Sequence, residues 1–181
     1  ARTLPADVLI LDLEDAVAPD RKAEARAQVM AAVAGRGFGQ RELVVRINGL
    51  ETPWGPDDLA AVAGSGADAV LLPKVDGPGQ VQAAEGLLLQ SGASDRMGIW
   101  CMLETPAGVL QAQAIASASP RLQALVMGTS DLAKALRCAH TPDRLPLLTS
   151  LSLCLLAARA AGLDILDGVH LDLGEGALFG L

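Results

Sequence analysis

Val8-Leu9-Ile10-Leu11-Asp12-Leu13-Glu14-Asp15 is the stretch on which the fold turns. Its apolar residues run on without alternation, as in a strand buried on both faces, and then give way to carboxylates. Apolar runs of the same kind recur, so that six are found at residues 8–13, 43–47, 69–72, 99–103, 124–127 and 168–173. Ala-rich segments with helical spacing lie between them, at 21–34, 81–89, 107–118 and 147–161. Asp20, after Pro19, is placed to cap the first, and Gly162 to stop the last. Strand and helix alternate every ~25 to 35 residues, the period of βαβ units in a parallel sheet. A closed eight-strand barrel takes about 250 residues, so six units in 181 residues leave two architectures. One is an open doubly wound sheet and the other a barrel with two strands fewer; periodicity does not separate them.

Composition narrows the function classes. Hydrophobic residues make up 51% but aromatics only 2%, so the interior is aliphatic, which argues against an all-β sandwich. Charged residues at 19% are too few for a disordered chain, and a net charge of −7 argues against a general nucleic-acid binder. Cys101, Cys138 and Cys154 form no CxxC pair and sit in apolar stretches, as buried thiols of a reducing compartment would. Two histidines, His140 and His170, make no zinc-ligand set with them. No stretch approaches the ~20 apolar residues of a membrane span, and the N-terminal residues do not read as a secretory signal. The expectation is a single soluble, cytoplasmic domain over 1–181 with no nucleic-acid or membrane partner. No Gly/Ser linker or charge block divides it.

The polar residues at the end of each apolar run are more informative. The first run ends in Asp12, Glu14 and Asp15, and the second delivers Arg46 and Asn48. The third gives Pro73-Lys74, the fourth Glu104-Thr105-Pro106, and the fifth Gly128-Thr129-Ser130-Asp131. The C-terminal ends of parallel strands share one rim, where α/β sites are built. Glu104 and Asp131 are either two solvated loop acids or the ligands of one hard cation such as Mg²⁺. Arg46, inside an apolar strand, needs a carboxylate: Glu14 or Asp15 of the chain, or that of a ligand. Thr105 and Pro106 read as a helix start, and with Ala107 and Gly108 they offer small residues and backbone N–H groups to an anion. Lys74 suits electrostatic support better than Schiff-base chemistry, because neighbouring acids keep it protonated. Arg21, Lys22 and Arg26 read as a solvated helix face, or else as contacts for ligand phosphates. Trp54 reads as a loop anchor, and the two histidines belong to no motif.

Taken in order, these pieces resemble the HpcH/HpaI aldolase and citrate lyase β-subunit family, in its CitE-like branch. The resemblance rests on residues 8–17, Lys22, Ala25-Arg26, Val45-Arg46-Ile47-Asn48, Pro53-Trp54 and 68–74. It continues through Ile99-Trp100, Glu104-Thr105-Pro106, 128–132 and Asp167-Gly168-Val169. It implies a TIM (β/α)8-type barrel, of which this chain would supply about six of eight strand–helix units. The first and last strands and a C-terminal extension would be missing, as in a piece of a longer protein. It implies a Mg²⁺-dependent carbon–carbon lyase or synthase joining or cleaving an acyl-CoA and a 2-oxo acid, of citryl-CoA or malyl-CoA type. Glu104 and Asp131 would then be metal ligands, and Arg46, Glu14 and Asp15 the catalytic pocket. Lys74 and residues Thr105 to Gly108 would contact substrate, in a homo-oligomer (trimer or hexamer). A non-catalytic CoA- or oxo-acid-binding subunit, and a CoA-independent pyruvate-type aldolase, are the competing expectations.

Overall fold

A computed structural model describes residue 3 and residues 5–170. Six strands pair in parallel: β1 (Val8–Asp12), β2 (Glu42–Arg46), β3 (Ala69–Leu72), β4 (Gly98–Leu103), β5 (Leu122–Met127) and β6 (Asp164–Leu166). Their order in the sheet is the order in the chain, β1 to β6. A doubly wound sheet reverses its order at a switch point, and none occurs here. Right-handed crossovers without a reversal lay every helix on the same face. Six strands in barrel order are therefore present among the described residues, rather than the eight of a closed barrel.

The core bears this out residue by residue. Val45, Val70, Leu72, Cys101, Leu103 and Leu125 pack with buried residues of the helices, in one large cluster. Val44, Ala69, Leu71, Trp100, Ala124 and Val126 form a separate, smaller cluster to which no helix contributes. Alternate residues of a strand point to opposite faces, so each strand feeds both clusters. That is why the runs read as continuously apolar.

The helices are α1 (Lys22–Ala34), α2 (Gly55–Ala63), α3 (Pro78–Gln90), α4 (Pro106–Leu110), α5 (Ala112–Ala116), α6 (Thr129–Leu136) and α7 (Leu148–Ala160). Several expectations need correction. Asp20 does not cap α1; it lies inside a 3-10 turn, Pro19–Arg21, that leads directly into the helix. The 107–118 segment is two short helices that meet at Gln111. Helices α2 and α6 were hidden because they open on Gly-Pro and Thr-Ser-Asp, which read as loop. The sixth strand among the described residues is Asp164–Leu166; of the expected run 168–173, residues 168–170 are not in a strand and 171–173 lie outside the described residues. Gly162, at φ +72°, ends α7, and the chain enters β6 two residues later, with Ile165 and Leu166 beside Leu125 and Val126. Among the described residues no helix is long and apolar enough to cross a membrane. Cys101 and Cys154 are buried, as expected, but Cys138 is only half-buried.

Candidate active site

Asp12 and Arg46 are the last residues of β1 and β2, and the parallel register sets them side by side. Both have the parity of the helix-free face, in line with Val8 and Val44. The guanidinium grips Asp12 with two bonds, Nε to Oδ1 at 2.7 Å and Nη2 to Oδ2 at 2.5 Å. Its remaining nitrogen, Nη1, lies 2.9 Å from Glu14 Oε2, 3.8 Å from Asp15 and 3.7 Å from Met102 Sδ. The principal partner of Arg46 is thus Asp12, not Glu14 or Asp15. Burial disfavours ionised Asp12, but Arg46 and the Glu14 and Ala16 amides outweigh it and hold the carboxyl below its usual range. Burial likewise disfavours the charged guanidinium, and the same acids more than restore it. Asp12 is the functional candidate that sequence reasoning passed over. Its signal was present: a carboxylate at the even positions of a strand faces the same side as an arginine at the end of the next.

Lys74 draws the remaining acids together. It follows β3 at φ +49°, a backbone region that costs a non-glycine residue about 1 kcal/mol or more and marks functional sites. Its amide N–H donates to Glu104 Oε1 at 2.9 Å, while its ammonium makes a close ion pair with Glu14 Oε1. The same Nζ is 3.7 Å from Asp131 and 3.9 Å from Asp15. Burial lowers the tendency of Lys74 to be charged, but Glu14 overcomes it and the pKa is raised.

Glu104, just past β4, is only 3% exposed. Burial pushes its carboxyl up to about 7, the Lys74 amide pulling it down and the Glu14 charge adding to the rise. Gly128, which opens the loop after β5, leaves room for it: a Cβ there would come within 2.4 Å of the Glu104 Cβ. Asp131 lies in the first turn of α6, where the helix dipole favours an anion.

The loop bearing Glu14 is held from beneath. Lys22, 7% exposed, donates to the Leu13 and Glu14 carbonyls at 2.8 and 2.6 Å and lies over the Trp54 ring. Asn48 Nδ2 reaches Leu13 O at 3.0 Å and the fully buried Asp58 at 2.6 Å, and Arg26 Nε reaches Asp58 at 2.6 Å. Lys22 and Arg26 therefore are not a solvated face; only Arg21, paired with Glu24, lies on the surface. Trp54, read as a loop anchor, is half-buried, with its ring beneath the Lys22 ammonium and at the cavity wall.

Thr105 caps α4, its Oγ1 accepting the Gly108 N–H at 3.0 Å and donating to Asp76. Gly108 is required there, because a Cβ would meet the Val75 carbonyl at 2.3 Å. This reduces the expected anion site. Pro106 has no N–H and that of Gly108 is spent on Thr105, which leaves Ala107 as the free donor among the three.

A cavity of about 340 Å³ opens over this rim, lined by Glu14, Asp15, Asn48, Trp54 and Lys74. A larger hollow at the opposite, N-terminal ends of the strands is lined by Arg36, Glu42, Asp68 and Arg96 and touches none of these groups. The rim is crowded with like charge: among the described residues Asp12, Glu14, Asp15, Glu104 and Asp131 face only Arg46 and Lys74. Glu14 Oε2 is buried with no well-aligned hydrogen bond despite its nearness to Arg46. These are the marks of a site short of positive charge. No three His, Cys, Asp or Glu residues form a metal cage among the described residues. Mg²⁺ does not need one, since it binds through one or two carboxylates and keeps water or substrate oxygens for the rest. Glu104 and Asp131, two carboxylates whose like charges oppose each other at this rim, are donors of the type that ion takes.

The profile of the HpcH/HpaI aldolase/citrate lyase family matches residues 1–178. A (3S)-malyl-CoA thioesterase of Cereibacter sphaeroides is 50% identical over 170 residues, which are 94% of this chain and 57% of that protein. The citrate lyase subunit beta of Escherichia coli is 38% identical over 180 residues, covering 97% of this chain and 60% of that one. The chain thus spans well under two thirds of the length of these curated relatives. Among solved structures, a citrate lyase beta subunit from M. tuberculosis, complexed with oxaloacetate and magnesium, superposes with a TM-score of 0.75. It is 34% identical, over 93% of this chain and 71% of its own. Together with the six-stranded sheet and its acidic rim, these matches place the chain in the HpcH/HpaI aldolase/citrate lyase family.

Proposed function

We propose that this chain carries the metal-binding rim of a Mg²⁺-dependent enzyme acting on an acyl-CoA that bears, or is to receive, a 2-oxo acid unit. The reaction is carbon–carbon cleavage or formation of the malyl-CoA or citryl-CoA type. The observation that carries it is Glu104, buried at the rim with one oxygen on the Lys74 amide and close enough to Asp131 for the two like charges to oppose each other. Bound there, Mg²⁺ would supply Lewis-acid polarisation of the 2-oxo carbonyl.

The chain's own groups supply the rest. Asp12 holds the guanidinium of Arg46 by two bonds, so that Nη1 alone points along the rim toward Glu14. A fixed positive edge stabilises charge that develops on a reacting oxygen without having to reorganise. Glu14 and Asp15 bound the cavity and keep Lys74 charged. Lys74 and the Ala107 amide are the contacts for a substrate carboxylate. The family resemblance adds a homo-oligomer, trimer or hexamer, and a cytoplasmic location to this reading.

The thioesterase relative favours a second reading, in which the same rim directs water to the thioester carbonyl. The two reactions leave different products from malyl-CoA. Cleavage breaks the carbon–carbon bond and gives acetyl-CoA and glyoxylate; hydrolysis breaks the carbon–sulfur bond and gives malate and free CoA thiol. Trapping the oxo acid with phenylhydrazine and titrating the thiol, with Mg²⁺ and with EDTA, tells them apart. Oxo acid without thiol is the expected result. Thiol without oxo acid establishes hydrolysis instead. Turnover that EDTA leaves untouched overturns the metal reading for both.

A further inference from the structure

Five carboxylates crowd the rim, yet nothing among the described residues fully compensates them, and one flexible cation reaches most of them. The Lys74 ammonium makes a close pair with Glu14 and lies 3.7 Å from Asp131 and 3.9 Å from Asp15. Its side chain is 42% exposed, so solvent lies on one side of it, while its backbone is fixed. The left-handed φ of +49°, the amide bond to Glu104 at 2.9 Å and the Gln80 side chain on its carbonyl at 3.3 Å fix where that side chain starts. One residue therefore touches a proposed metal ligand through its backbone and approaches the other through its ammonium.

Building on the assignment of Glu104 and Asp131 as Mg²⁺ ligands, we propose that Lys74 is the built-in counter-cation of this site. A divalent cation enters by displacing the ammonium from Asp131 toward Glu14 and Asp15. Two cations cannot share one carboxylate at this range without repulsion, because charges a few ångströms apart interact strongly at the partly buried edge of a protein. The ammonium already leans on Glu14, which is only 10% exposed, and withdrawing onto it requires no backbone change. Lys74 thus competes with Mg²⁺ for Asp131. It sets the affinity of the site below what its acids alone would give, and it steadies the acids when no metal is bound.

Two properties test this, neither of them turnover. Mg²⁺ alone is titrated by calorimetry into the native protein, Lys74→Met and Lys74→Arg, and thermal midpoints are compared in EDTA and in Mg²⁺. Lys74→Met keeps the amide to Glu104 and removes only the charge. It should bind Mg²⁺ about tenfold more tightly than the native protein, since a lost competitor of about 1.4 kcal/mol is a factor of ten. Its midpoint should fall in EDTA and recover more than the native one on adding Mg²⁺. Lys74→Arg, which keeps the charge, should return affinity to the native range. If the native protein binds Mg²⁺ and Lys74→Met binds it equally or more weakly, this inference fails and the metal assignment stands. If no variant binds Mg²⁺ and the native protein does not either, the metal assignment falls and takes this inference with it.

Discussion

Replacing Gly128 by alanine should weaken the proposed divalent-cation site while leaving the sheet in place. A Cβ at that position would come 2.4 Å from the Cβ of Glu104 and 2.6 Å from its Oε2. Carbon atoms settle about 3.5–4.0 Å apart, so something must move by about 1 Å. Gly128 cannot retreat. Its N–H donates to Leu103 O at 3.1 Å, across the β4–β5 edge, and its carbonyl accepts the Leu132 N–H at 3.0 Å within α6. Glu104 has to yield instead, and in moving it loses the 2.9 Å bond from the Lys74 amide. Overpacking of this kind costs about 1–3 kcal/mol. Urea denaturation should therefore show a lower midpoint with an unchanged slope. Calorimetry should show Mg²⁺ affinity reduced at least about tenfold, or about 1.4 kcal/mol. Gly64→Ala is the control, because a Cβ there meets nothing within 4 Å, and both measurements should stay native. A Gly128→Ala protein that is destabilised as expected yet binds Mg²⁺ with native affinity would refute the reasoning, since the ion would then not depend on where Glu104 sits.

The same geometry leads to three other outcomes. A proton competes with the proposed metal for Glu104, whose folded-state pKa is raised to about 7 from an ordinary 4.5. Mg²⁺ affinity should thus rise with pH up to about 7, by up to about tenfold per unit, and level off above it; a flat calorimetric profile between pH 5 and 8 would contradict this. Without metal the sign for stability is opposite: the raised pKa favours the folded state at low pH, an advantage lost as pH climbs from 4.5 to about 7. Asp58→Ala removes the shared acceptor of Arg26 and Asn48 from a fully buried position and leaves the Arg26 guanidinium only its longer 3.4 Å contacts to Asp57 and the Trp54 carbonyl. The loss should be about 3–5 kcal/mol by chemical denaturation, and less than about 1 kcal/mol would disprove the network's role. Arg46→Lys replaces a two-pronged grip on Asp12 by a single point charge. Steady-state assays should show turnover reduced about 10²-fold with Mg²⁺ affinity little changed, and equal losses in both would show that Arg46 acts on the metal ligands rather than on the substrate.

Much of the molecule was legible in its residues, for identifiable reasons. Continuous apolar runs marked five of the six described strands because strands buried on both faces have no solvent side to alternate toward. The sixth was misplaced because Asp164 and the brevity of β6 (three residues) hid it, while the more apolar run after it drew attention. Helices α2 and α6 went unseen because capping and turn residues are the same residue types. The rim was legible as a set, since each of the first five strands is followed within a few residues by an ionisable group. Individual partnerships were not. Asp12 looked like one acid of three, and Lys22 and Arg26 looked like a surface face, because burial of a charged side chain depends on what packs over it and not on its neighbours in the chain.

The sequence by itself determined the parallel α/β class, the aliphatic core, the ionisable rim and the ordered motifs that carry the family resemblance. These rest on local pattern, which a chain displays before it folds. Tertiary structure alone decided between the barrel order and the doubly wound one, because strand order is a property of crossovers that no local period records. It alone also decided that Arg46 belongs to Asp12 and that Lys74 spans Glu14, Glu104 and Asp131. Those pairings join residues 30 to 60 positions apart in the chain, and only the register of neighbouring strands brings such distant charges within reach of one another.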